Sequence, residues 1–183
     1  MASDALKGHL LIAAPGLLDP NFRRTVVLLL EHSAEGALGL VLNRPSELLA
    51  GEAVPELGPL VNGDDAVYVG GPVQPQAVIA LAEFTDGVLG EQSIVGPIGA
   101  VDVDSDLDEV AGRVARVRVF AGYAGWGEGQ LDGELEEEAW IVQPALPGDV
   151  FSDEHSTLWN RVLRRMGGPY RLLATMPDDP RMN

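Results

Sequence analysis

The chain has 183 residues, 46% of them hydrophobic, enough for one domain with a substantial core and unlike a disordered chain. Twelve Lys and Arg against 28 Asp and Glu give a formal charge of −16, a sign that repels phosphate backbones and argues against direct nucleic-acid binding. There is no cysteine, which removes disulfides, thiolate metal sites, iron–sulfur clusters and cysteine nucleophiles.

At the N-terminus one lysine, Lys7, precedes a short apolar run that Pro15 and Gly16 interrupt. That is too short for a signal peptide or membrane helix, so the expectation is a cytoplasmic protein with no membrane contact. Residues 9–14 have the length and apolarity of a buried strand. A loop from Leu17 to Arg24 follows, with Asp19-Pro20-Asn21 as its turn signal. Thr25 to His32 reads as a central strand and Ala37 to Leu42 as the next, and the short Ser33–Gly36 connection predicts an antiparallel hairpin.

Between Arg44 and Gly63 six Pro and Gly residues interrupt the pattern, leaving an excursion over the sheet with room for a short helix. Short strands are expected at 66–70, 78–84 and 98–103, with a glycine-rich loop at 85–97. Ser105 reads as the cap of a helix to about Val114, and Arg116–Phe120 alternates as a half-buried strand does. Gly122–Gln130 places four glycines around two aromatics and reads as a loop. A helix with Leu131 and Leu135 on one face runs to Glu138, and Trp140–Val142 is a strand. Leu158, Trp159, Val162, Leu163 and Met166 recur at helical spacing over 153–166, before Gly167-Gly168-Pro169. A last strand at 170–175 and a loose tail at 176–183 complete the chain. Strands that follow strands directly exclude a regular Rossmann pattern. The expected fold is α+β, a single domain with a mixed, strongly curved or barrel-like β-sheet carrying a few short helices.

No phosphate loop, nucleophile elbow, zincin motif or zinc-ligand spacing is present. Asp102–Asp108 alternates carboxylates as a calcium loop would, but the sixth position is Leu107 and the twelfth Arg113. No metal and no cofactor are therefore expected. His9 and His155 have no partner in the pattern. Glu31 and His32 end an apolar strand, yet consecutive strand residues point to opposite faces, so they would not form a direct dyad. Asn43 and Arg44 end the paired strand and are expected near that pair, with Glu31–Arg44 pairing as the plainer reading beside catalysis. Arg23–Arg24 and Arg161, Arg164 and Arg165 form basic clusters, which read as solvated faces or ion pairs.

The segments GHLLIAAPGLLDPNFRRTVVLLLEHSAEGALGLVLNRP, GGPVQP at 70–75 and GYAGWGEGQLDGELEEEAWIVQPA at 122–145, in this order, resemble the bacterial YqgE/AlgH family. The resemblance spans essentially the whole chain. It implies an α+β fold on a bifurcated or barrel-like mixed sheet and, through the family's genetic label, a link to transcriptional regulation. Many relatives carry a cysteine immediately before the Glu-His pair; here that position is Leu30, so no thiol-redox role carries over.

The functional expectation is a non-enzymatic binding or regulatory protein acting through a protein partner or a small polar ligand. Its groove would be lined by Asp19, Asn21, Arg23, His32, Asn43, Arg44, Tyr123 and Trp126. The alternatives are a hydrolase with His32 as general base supported by Glu31, Asp19 or a metal, and a transcriptional regulator that the negative charge argues against binding DNA directly. Exposed sheet edges suit a homodimer.

Overall fold

The computed structural model describes residues 5–88 and 92–177. The expected tail therefore lies, beyond residue 177, outside the described residues, as does the middle of the 85–97 loop.

Strand β1 (His9–Ala13) lies between β2 (Val26–Ser33) and a late strand, antiparallel to both, and β2 turns into β3 (Gly36–Val41) as the expected hairpin. Period two explains why these runs are apolar throughout. Leu10, Ile12, Leu28 and Leu40 enter one core cluster, and Leu11, Ala13, Val27, Leu29 and Val41 enter another on the opposite face. Each fully buried Leu or Ile contributes on the order of 1.5–3 kcal/mol.

Residues 44–63, expected to carry no strand, contain β4 (Pro45–Leu49), α1 (Ala50–Ala53) and a 3-10 stretch over Pro55–Leu60. Proline is tolerated in β4 because it begins an irregular edge strand, paired on one side with β5 (Ala66–Val69). Strand β6 (Val73–Phe84) starts five residues earlier than expected, passing through Pro75 where its pairing with β8 shifts between Val73 and Val78. Strand β7 (Ile98–Ala100) is shorter than the expected 98–103. Helix α2 (Leu107–Ala111) is capped by Asp106, which accepts from Asp108 and Glu109, while Ser105 turns back onto the Asp102 carbonyl.

The Gly122–Trp126 segment is strand, not loop: it completes β8 (Val114–Trp126). This strand organises the sheet. Its first part runs parallel to β5 and antiparallel to β6, and its last residues pair with β3 through Gly39↔Ala124 and Ala37↔Trp126. Where it changes partner, the backbones of Gly70–Gly71 and Gly122–Tyr123 touch. A Cβ on Gly71 would sit 2.2 Å from the Tyr123 carbonyl carbon, and one on Gly122, at φ 73°, would sit 2.5 Å from the Gly71 oxygen. Two of the glycine motifs are thus explained by one close approach.

Helix α3 (Gln130–Glu136) and β9 (Trp140–Pro144) follow, then α4 (Pro147–Val150), a 3-10 turn at His155–Thr157, α5 (Leu158–Met166) and α6 (Pro169–Leu173). The strand expected at 170–175 is α6: Pro169 presets its first turn, and Tyr170, Leu173 and Ala174 pack on the cluster that holds α5. The sheet order β4-β5-β8-β3-β2-β1-β9, with β6 and β7 branching from β8, is a curled sheet whose terminal strands do not pair. Among the described residues no helix is long and apolar enough to cross a membrane.

Candidate functional site

The β1–β2 loop straddles the end of the sheet. Its turn forms as the sequence predicts: Asp19 Oδ1 accepts the Asn21 N–H at 2.8 Å, and the Asp19 carbonyl accepts from Phe22 and Arg23. Phe22 turns toward one face, edge-on to Trp140 at 5.6 Å between ring centres and 6.2 Å from Trp126. Arg23 and Arg24 border the other side, where the guanidinium of Arg24 lies 4.2 Å over the Trp159 ring and donates to the Pro177 carbonyl at 2.6 Å. Arg24 has a left-handed backbone, φ 56°, which costs a non-glycine residue on the order of 1 kcal/mol.

Asn43 and Arg44 hold this loop. Asn43 Oδ1 accepts the buried Val26 N–H at 3.1 Å, and its Nδ2 donates to the Arg24 carbonyl at 2.9 Å. Arg44 donates to the carbonyls of Asn21 (2.8 Å) and Arg23 (3.0 Å). Burial pulls its guanidinium below the ordinary arginine range, with the Asp19 carboxylate opposing; an arginine stays charged regardless.

These residues open onto a cleft of about 500 Å³ lined by Pro20, Arg23, Arg24, Asn43, Arg44 and, from the 3-10 turn before α5 and the start of α5, His155, Trp159 and Asn160. Arg23, Asn43 and Arg44 are brought together, with Asp19 and Asn21 in the loop that forms one wall. Glu31 and His32 are not with them. The hairpin turns beyond His32, so Glu31 faces Leu38 and His32 faces Ala37, while Asn43 lies beside the first residues of β2. The five or six residues between correspond to about 20 Å of strand. The expected Glu31–Arg44 pair is replaced by the bonds of Arg44 to loop carbonyls. Glu31 is exposed beside a bulge in β2, and His32 Nε2 lies 3.7 Å from Asp132 on α3.

Trp126 and Tyr123 are also elsewhere. The Trp126 and Trp140 indoles both donate to Glu134 Oε1, at 3.1 and 2.9 Å, behind Phe22. Tyr123 pairs with Val73 across β6 and β8 and packs on the main core. Sequence reasoning missed Arg24, His155, Trp159 and Asn160 as neighbours of Arg44. The doublet Arg23–Arg24 was the one signal present, since His155 and Trp159 come from a 3-10 turn and the helix after it, more than a hundred residues away. Two members of the other basic cluster are ion-paired: Arg165 makes a double bond-pair with Asp149 at 2.8 and 2.9 Å, and Arg161 lies 3.5 Å from Glu154.

Residues 10–171 match the family model described as AlgH-like, DUF179. The chain belongs to the AlgH-like family. Within it, a UPF0301 protein of Streptomyces coelicolor is 44% identical over 185 residues, covering 98% of this chain and 96% of its own. One from Rhodococcus opacus is 45% identical over 181 residues, covering 96% and 90%. A crystallised Corynebacterium diphtheriae protein superimposes with a TM-score of 0.86 at 32% identity over 96% of this chain and 94% of its own. The solution structure of AlgH from Pseudomonas aeruginosa gives 0.68 at 34% identity over 97% of each chain. In this AlgH-like protein the second and third sequence motifs meet where Gly70–Gly71 approaches Gly122–Tyr123, and the first meets the third where Phe22 packs on Trp126 and Trp140.

Proposed function

We propose that this AlgH-like protein is a non-enzymatic binding protein that takes a small anionic ligand, bearing phosphate or carboxylate, in the cleft between the β1–β2 loop and α5. One observation carries this: three arginines and an imidazole converge on about 500 Å³ in a chain of net charge −16. Gathering like charges costs energy unless an anion compensates them, and arginine's planar fork suits oxyanions. Arg44 is held in place by carbonyls, which orients its remaining N–H donors without neutralising its charge.

Calorimetric titration with sodium pyrophosphate, inorganic phosphate and citrate tests this reading. The expected result is saturable binding of at least one, weakened about tenfold or more in Arg23→Gln through loss of a charge-assisted contact. Arg23 suits the test because, among the described residues, its guanidinium makes no hydrogen bond or ion pair that holds the fold. No saturable binding of any of the three, or an Arg23→Gln variant indistinguishable from wild type, overturns it.

A further inference from the structure

The arginine cleft does not end at His155. The same imidazole borders a second cleft of about 470 Å³, and the chain neighbours Arg44 and Pro45 line the first and the second respectively. The second has the opposite sign: Asp64, Asp65 and Asp153 against Arg118 leave a net −2 (three carboxylates less one guanidinium). Arg118 is already committed, lying 4.3 Å over the Tyr68 ring and donating to the Val150 and Ser152 carbonyls and to Asp153 at 3.0 Å. Asp64 is exposed at the rim.

Tyr68 is the independent sign of a ligand. It is 5% exposed and lines this cleft, and among the described residues its hydroxyl, the end of the side chain that solvent still reaches, bonds no protein group. A hydroxyl that bonds no protein group keeps its acceptor lone pairs for a group entering the cleft. Burial holds the phenol above its ordinary pKa, with Arg118 opposing and Asp153 and Asp65 adding to the rise, so it stays neutral and its oxygen can accept.

We propose that the two clefts form one groove for a charge-bipolar small molecule, its anionic group on the arginines and a primary ammonium at the other end, taken by Asp64 and the Tyr68 hydroxyl. An ammonium has three N–H donors for just such acceptors, and the two halves would orient the ligand in one direction. The inference rests on the arginine cleft being an anion site and adds what the ligand carries at its far end.

The test compares straight-chain alkyl phosphates with ω-aminoalkyl phosphates of two, four and six carbons on the full chain by calorimetry. At the length that spans the groove, the amino compound is expected to bind about tenfold more tightly than its alkyl counterpart. That preference should vanish in Asp64→Asn and shrink in Tyr68→Phe, while affinity for the alkyl phosphate stays unchanged. Glu35→Gln, which removes an exposed carboxylate from the β2–β3 turn at the far end of β2 from Asn43, should keep the preference and so separates the local site from the overall negative charge. Equal binding of alkyl and amino compounds at every length, or a preference that survives Asp64→Asn, overturns the bipolar groove and leaves the anion site standing. If no phosphate of either series binds, both readings fall.

Discussion

Asn43 shows how one side chain can look like a site residue and act as a clamp. Its amide bonds the backbone of β2 on one side and the strained Arg24 on the other, so it positions the cleft without contributing charge to it. Asn43→Ala would leave the buried Val26 N–H unpaired and release Arg24, a loss of about 2 kcal/mol. For a domain of this size that corresponds to a melting-temperature drop of about 4–8 °C, with weaker anion binding alongside. A calorimetric scan showing an unchanged melting temperature would sink this account. Neighbouring Arg44 combines both roles, since its carbonyl bonds fix the loop while its charge faces the cleft. Sequence pattern marked both residues because Asn-Arg-Pro ends a strand abruptly; it could not tell an anchor from a ligand contact, a difference that lies in which backbone groups approach.

The β1–β2 loop and α3 work as a unit at the scale of elements. Phe22, Trp126 and Trp140 form a three-ring cluster, with the two indoles 6.0 Å apart, and Glu134 accepts from both indoles and, through Oε2, from Gln130 at 3.0 Å. From sequence alone Glu134 is one more carboxylate on an acidic helix, because its partners lie eight residues before and six after it in different strands. Glu134→Ala strands two indole N–H groups on side chains at most 6% exposed, an expected cost of about 3 kcal/mol. Glu134→Gln keeps an acceptor and should lose about 1 kcal/mol. Thermal denaturation followed by tryptophan fluorescence reads the difference, and equal losses in the two variants would show that the acceptor is irrelevant. The hairpin was legible because its apolar runs and turn spacing are local. The misplacement of Asn43 beside His32 came from ignoring antiparallel direction, which puts the residue after β3 at the opposite end from the turn.

Across the molecule, charge acts in two opposed ways. The net −16 repels itself and destabilises the compact state, while the cleft concentrates positive charge locally. Raising salt from about 10 mM to 150 mM shortens the screening length from about 30 Å to 8 Å. The melting temperature of the free protein should therefore rise while pyrophosphate affinity falls, and an affinity indifferent to salt would remove electrostatics as the basis of binding.

The same division runs through the whole chain. Length, absence of cysteine, negative charge, apolar runs of strand length and helical spacing after residue 157 are local or additive properties, and they were enough for an α+β fold on a curved sheet and for its family. Strand β4, the early start of β6, the extension of β8 through Gly122–Trp126 and the helical end at α6 depend on which neighbour each segment meets. So does the cleft. Its arginines come from a loop and a strand end near the start of the chain, His155 and Trp159 from a 3-10 turn and the helix that follows it near its end, and the sheet brings them together. Backbone pairing and burial are non-local energies, and no pattern within a short window carries them.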